Sequence, residues 1–267
     1  MRLLRILLLV PKTGVLTMST SDKAQKLLEQ SRVLHSFGTI LSAGVPILVV
    51  LELMSTRSET YRAVFEGVAA DVRAGGGLRE GMESLEDLFH PFVLSMIEIG
   101  EQTGDLDATL LMSSNLLNRL AQFEEQGVVV DQYKLAVATD FCMLALMYDV
   151  GMPVARILNV MSKHSSQAHR GVFAAVEKSV IGGDSLSLAL MESWQGVQMP
   201  RSGSLADDYN IKVIEAGEIG GVLDIVLKRL ANTLMWNVLG TQFFEGVNLP
   251  PQSGGNHPGV TDDDETN

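Results

Sequence analysis

Few groups in this chain are placed for chemistry, and their spacing excludes more than it offers. Cys142 is the only cysteine, so neither an internal disulfide nor a Cys-x-x-Cys metal or redox pair can form. Its neighbours Phe141, Met143 and Leu144 mark it as a small buried apolar residue. His164 and His169 are five apart, without the His-Glu-x-x-His spacing that sets two imidazoles on one helix face. Because they flank a polar turn, both are expected in solvent. The glycine run 75–77 continues as Leu78-Arg79-Glu80 and not as the Gly-Lys-Ser/Thr of a phosphate loop, so it reads as a helix stop. The glycines of 217–221 follow no strand and fail the dinucleotide pattern. No Ser/His/Asp combination has motif context, so a non-catalytic protein is expected.

The most specific feature is Gly100-Glu101-Gln102-Thr103-Gly104-Asp105-Leu106-Asp107. Glu101 should lie near the C-terminal end of one helix, where that helix's dipole disfavours a carboxylate. The N-terminus of the next helix should favour it, tying the two together. Gly104 supplies the tight turn, and Asp107 or Asp105 is expected to cap the following helix by accepting backbone N–H bonds.

The elements that hold these residues must be helices. Aromatics make up only 6% of the chain, while Leu, Val, Ala and 13 Met dominate, a composition that favours close-packed helices over strands. With 46% hydrophobic and 19% charged residues there is ample material for a core. A net charge of −12 without a Lys/Arg run argues against nucleic acid as a partner. Length alone points to two modest domains.

The chain reads as two copies of one unit. Ala43-Gly44-Val45-Pro46 recurs as Val150-Gly151-Met152-Pro153, and Gly75-Gly76-Gly77-Leu78 as Gly182-Gly183-Asp184-Ser185-Leu186. The Glu101 segment recurs as Gly217-Glu218-Ile219-Gly220-Gly221-Val222-Leu223-Asp224, displaced by a longer Ser/Gly/Pro-rich loop around residues 199–208. In the first copy Leu27, Leu34, Phe37 and Leu41 stripe one helix that Gly44 ends, and Pro46 opens a second. Tyr61, Val64, Phe65, Val68 and Val72 stripe a third, and a brief fourth fits residues 78–85. Pro91 starts a fifth through Met96 and Ile97, and a sixth turns Leu110, Leu117 and Leu120 inward. In the second copy Pro153 opens the second helix. Val172, Val176 and Val180 stripe the third, and Leu223, Val226 and Leu230 the last. Met191, Met199 and Met235 read as core filler. The expected fold is therefore all-α: two tandem six-helix bundles of antiparallel up-and-down helices, related by internal duplication.

The expected divisions are a leader at 1–20, bundles at 21–127 and 128–245, and a disordered acidic tail at 246–267. The leader has a basic start and an apolar run but no Ala-x-Ala site; it reads as an over-extended start or, less well, as a signal peptide. No run reaches the roughly 20 apolar residues of a spanning helix, and residues 37–54 and 135–150 read as buried helices.

The three landmarks together, an Ala-Gly-Val-Pro turn, a Gly-rich turn before Leu, and Gly-Glu-x-x-Gly-x-Leu-Asp, resemble the F domain of type II secretion and type IV pilus platform proteins over about residues 25–240. The motif positions are Gly44, Pro46, Gly100, Glu101, Gly104 and Asp107 in the first copy, which also carries Leu88-Phe89-His90-Pro91. In the more divergent second they are Gly151, Pro153, Gly217, Glu218, Gly221 and Asp224. The resemblance implies a non-catalytic scaffold that contacts the assembly ATPase and inner-membrane platform proteins, with scope for self-association. It implies a cytoplasmic location, peripheral on the inner membrane, because the hydrophobic helices that normally separate and follow the domains are missing. A helical regulatory module detached from the machine is the alternative. The resemblance also raises a Ca²⁺ site at Glu101 and Asp105, since an acid four residues after the Glu matches a cation-bound form. In the second copy Val222 takes the place of that acid, so only the first copy is a candidate.

Overall fold

The computed structural model describes residues 20–57, 59–83, 89–195 and 203–244. The leader before Thr20, the tail after Phe244, Met199, and the end of the predicted fourth helix lie outside the described residues. Among those described, every regular element is a helix. The first unit holds α1 (Thr20–Ser42), α2 (Ile47–Arg57), α3 (Glu59–Arg73), α4 (Leu78–Glu83), α5 (Pro91–Thr103) and α6 (Leu106–Glu125). The second holds α7 (Gln132–Asp149), α8 (Val154–His164), α9 (Arg170–Ile181), α10 (Leu186–Ser193), α11 (Asp208–Gly220) and α12 (Leu223–Leu239).

The helix boundaries follow from local chemistry. Gly44 and Gly151 take φ of +79° and +77° directly after α1 and α7, a conformation costly for any residue with a Cβ. Pro46 and Pro153 stand just before α2 and α8, and their carbonyls accept the first N–H bonds of those helices. His90 caps α5, its Nδ1 accepting from Phe92 N at 3.3 Å, and Pro91 occupies the first helical position, where a missing N–H costs nothing. Asp131 caps α7 by accepting from Tyr133 N and Lys134 N, both at 3.1 Å.

Within each unit consecutive helices pack side by side, and the first closes the ring against the last: α1 on α6, α7 on α12. The predicted stripes face inward: Leu34, Phe37, Tyr61, Phe65, Val68, Leu110 and Leu117 are buried in the first unit, and Val172, Val176, Leu223 and Leu230 in the second. Met235 is fully buried, Met191 partly. The α1–α6 contact is close because Gly38 lacks a side chain: a Cβ there would stand 2.9 Å from Leu111 Cγ and 3.0 Å from the Asp107 carbonyl oxygen. One turn of each helix is pinned by a reciprocal pair, in which Ser31 Oγ donates to the Ser114 carbonyl and Ser114 Oγ to that of Ser31, both at 2.9 Å.

The two units share one apolar core. The connector between Glu125 and Gln132 is short, and α5 packs against α7. Ser95 Oγ donates to the His164 carbonyl at 2.7 Å, and Arg119 Nε on α6 to the Leu239 carbonyl at the end of α12 at 2.5 Å. Buried Asn232 holds the chain leaving α12: its Oδ1 accepts from Phe243 N and Phe244 N at 2.9 Å, and its Nδ2 donates to the Phe244 carbonyl at 2.7 Å.

Candidate functional site

Glu101 stands in the last turn of α5, and its carboxylate accepts from Leu78 N at 2.5 Å and Arg79 N at 3.0 Å. It therefore ties α5 to the N-terminus of α4, which precedes it in sequence, and not to that of α6 as the sequence reading had it. The reason lies in α4 itself: its first N–H groups need an acceptor, and the preceding glycines have no side chain to offer. Glu218 repeats the arrangement on α11. It accepts from Leu186 N at 2.6 Å, Ser187 N at 3.2 Å and Ser187 Oγ at 2.5 Å at the start of α10. A carboxylate on free helix N–H groups gains both charge-assisted hydrogen bonds and the favourable end of the helix dipole.

The motif glycines play two different parts. Gly104 and Gly221 take φ of +85° and +65° and reverse the chain between α5 and α6, and between α11 and α12. Gly100 and Gly217 permit close helix approach instead. A Cβ on Gly100 would lie 2.3 Å from Thr109 Oγ1 and 2.7 Å from Leu106 Cα, and one on Gly217 would lie 3.0 Å from Val226 Cβ. The capping expectation needs correction: Asp105 holds the N-cap position of α6, but its side chain makes no capping bond. Its carbonyl accepts from Thr109 N at 3.0 Å. Asp107 lies in the first turn of α6 and Asp224 in that of α12, whose N-cap is Val222. There the acids interact with the helix dipole without serving as caps.

At the Ca²⁺ position that the resemblance raised, Glu101 is engaged by the backbone of α4. Each oxygen of Glu101 already accepts a backbone N–H. Among the described residues, no three His, Cys, Asp or Glu side chains converge to hold a metal. A calcium ion requires six to eight oxygens.

One polar cluster escaped the sequence reading. Asp140 on α7 and His169 at the start of α9 are both fully buried, with Asp140 Oδ2 2.6 Å from His169 Nδ1. Ser166 N donates to Asp140 Oδ1 at 3.3 Å, and Ser166 Oγ lies 3.0 Å from the same His169 Nδ1. His169 is thus the reverse of the solvated residue expected. The signal was Asp140 itself, since an acid inside an apolar helix must find a partner. Burial raises the Asp140 carboxyl above its ordinary range, against the lowering effect of His169 and Ser166. The cluster lacks the geometry of a nucleophile-activating triad, which needs the hydroxyl and the carboxylate on opposite ring nitrogens. Here both address Nδ1. Neighbouring Cys142 is buried, and desolvation pushes its thiol well above the ordinary value, so it is no nucleophile. His164 is partly buried, and desolvation lowers its pKa. A cleft of about 590 Å³ opens at the junction of the two units, bordered by His90, Ser95, Asp140, His164, Ser166 and Arg170.

A ring of six helices built twice, each copy locked by a glutamate on the N-terminus of its fourth helix, defines a duplicated helical scaffold. Residues 33–128 and again 142–237 match the type II secretion system protein F family, and the chain belongs to it. It is similar to the type 4 fimbrial assembly protein PilC of Pseudomonas putida, 28% identical over 134 residues, which cover 49% of this chain and 31% of that protein. It is also similar to the type II secretion system protein F of Xanthomonas campestris pv. campestris, 36% identical over 92 residues, covering 33% of this chain and 22% of that protein. The chain thus spans about a third or less of the length of these relatives. No helix among the described residues is long and apolar enough to cross a membrane.

Proposed function

We propose that the chain is a non-catalytic platform or adaptor of a type II secretion or type IV pilus assembly machine. It would act through protein contacts with the assembly ATPase and inner-membrane components. The observation that carries this reading is the retention of the glutamate tie in both copies of the F-type unit. The two units, at 21–127 and 128–245, are the functional divisions of this reading, and the location is cytoplasmic and peripheral on the inner membrane. Two relatives named for fimbrial assembly and for type II secretion support the class of machine.

Affinity capture of the tagged chain from a cell encoding such a machine tests the proposal. Recovery of the assembly ATPase, and co-sedimentation with inner membranes only when platform partners are present, are the expected results. Capture without any secretion or pilus component, and a chain soluble in every background, would instead favour a detached helical regulatory module.

A further inference from the structure

One wall of the cleft between the two units offers hydrogen-bond donors without acceptors. Ser165, which ends α8, is only 1% exposed and borders the cleft, and its Oγ has no hydrogen-bond partner among the described residues. A buried hydroxyl of this kind calls for a partner. Arg170, also on this wall, donates from Nε to the Ser165 carbonyl at 3.0 Å, which fixes its guanidinium to the same loop. The positive-φ glycines Gly75 and Gly183 align the copies here, so Arg170 takes the place of Arg62, and Gln167 that of Glu59. Arg62 pairs with Glu59 at 3.8 Å. Arg170 has an amide in place of that acid and forms no ion pair among the described residues.

The loop that presents these two residues is held from below. Asp140 Oδ1 accepts from Ser166 N at 3.3 Å, and Oδ2 lies 2.6 Å from His169 Nδ1. Aligned through Gly44 and Gly151, Asp140 corresponds to Val33, and aligned through Gly75 and Gly183, His169 corresponds to Tyr61. Both counterparts are buried, so the bundle closes without a polar pair, and the second unit uses one to fix the turn beside the cleft. With both Asp140 oxygens engaged, the groups that this wall has left are donors. Three bases, Arg79, Lys163 and Arg170, act on His164 at its edge against one acid, Glu98. That local excess of positive charge, in a chain of net charge −12, attracts anions. Phe92, Leu135 and Met143 add apolar surface, and a volume of about 590 Å³ is that of a small-molecule pocket.

We propose that this cleft binds a small organic oxyanion, whose phosphate or carboxylate accepts from Arg170 Nη and Ser165 Oγ while its body packs on Phe92, Leu135 and Met143. Phe92 belongs to the first unit and the other four to the second, so the ligand bridges the two. The site requires only the folded chain and does not depend on which machine the protein serves.

The test is NMR of the full chain with isotope-labelled methionine methyls, read at Met143. The probes are AMP, benzoate, inorganic phosphate and the neutral counterparts adenosine and benzamide. AMP or benzoate should shift Met143 with a Kd below about 1 mM, at least about tenfold tighter than its neutral counterpart or inorganic phosphate. Binding of AMP alone assigns a phosphate ester, and of benzoate alone a carboxylate. Arg170 is exposed, so Arg170→Gln should keep the wild-type melting temperature while weakening binding at least about tenfold. Ser165→Ala should weaken it several-fold, and Lys163→Gln, which removes the same charge outside the cleft, should matter far less. No shift of Met143 with any probe overturns the proposal, as does an Arg170→Gln variant that binds like wild type. Neutral counterparts that bind equally well also overturn it. Inorganic phosphate that binds as tightly as AMP would reduce the site to an adventitious ion only.

Discussion

Removing the glutamate ties should cost unequal amounts in the two copies. Glu218→Ala deletes three hydrogen bonds, to Leu186 N, Ser187 N and Ser187 Oγ. Glu101→Ala deletes two, to Leu78 N and Arg79 N. Charge-assisted bonds are worth roughly 1.5–3 kcal/mol each when dry, but water reaches both sites and replaces part of each. Glu218 is only partly buried, and Glu101 is exposed. The expected losses are therefore about 2–3 kcal/mol for Glu218→Ala and about 1–2 kcal/mol for Glu101→Ala. At roughly 2–4 °C per kcal/mol for a chain of this size, Glu218→Ala should melt about 5–10 °C low by calorimetry. Glu218→Gln keeps a neutral acceptor and should fall between wild type and Ala. Amide exchange at Leu186 and Ser187 should accelerate in Glu218→Ala while the amides of α7 keep their protection. The assignment of a helix-capping tie is refuted if Glu101→Ala costs as much as Glu218→Ala. Faster exchange confined to α12 would refute it equally.

Three further perturbations probe other parts of the structure. Gly100→Ala should destabilise by about 2–4 kcal/mol, because its Cβ would press on the Leu106 backbone, whereas Gly217→Ala makes the milder 3.0 Å approach to Val226 Cβ and should cost about 1–2 kcal/mol. Denaturant melts showing the two equal would contradict the geometry. Asp140→Ala should cost about 2–4 kcal/mol by stranding His169 and Ser166 N in the core, and retention of the wild-type denaturation midpoint would show that the pair contributes nothing. His90 has a pKa lowered by burial, and its Nδ1 must stay unprotonated to accept from Phe92 N. The native state thus binds fewer protons than the unfolded chain. The stability from His90 is complete above the ordinary imidazole value of about 6.5 and is lost as pH falls through the lowered value. His90→Asn retains an acceptor that does not titrate, so its melting temperature should fall less than that of wild type from pH 7.5 to 5.5. Parallel curves would remove His90 as the cause.

The sequence by itself determined most of the helices, several of their ends and the duplication. Those depend on local terms: the 3.6-residue period of Tyr61, Val64, Phe65 and Val68, the positive φ required of Gly44, Gly104 and Gly221, and the fixed geometry of Pro91 at a helix start. It also singled out Glu101 as a residue between two helix ends. Which helix receives that carboxylate was decided only when the ring closed and brought α4 beside α5. The burial of His169 is not legible locally, because its neighbours Ser165, Ser166 and Gln167 look like a solvated turn and nothing near it reveals that Asp140, 29 residues earlier, lies against it. The tight crossing of α1 on α6 at Gly38 likewise depends on residues far apart in the chain. A period or a cap acts within one or two turns of backbone, whereas burial and contact between distant segments exist only once the core has assembled.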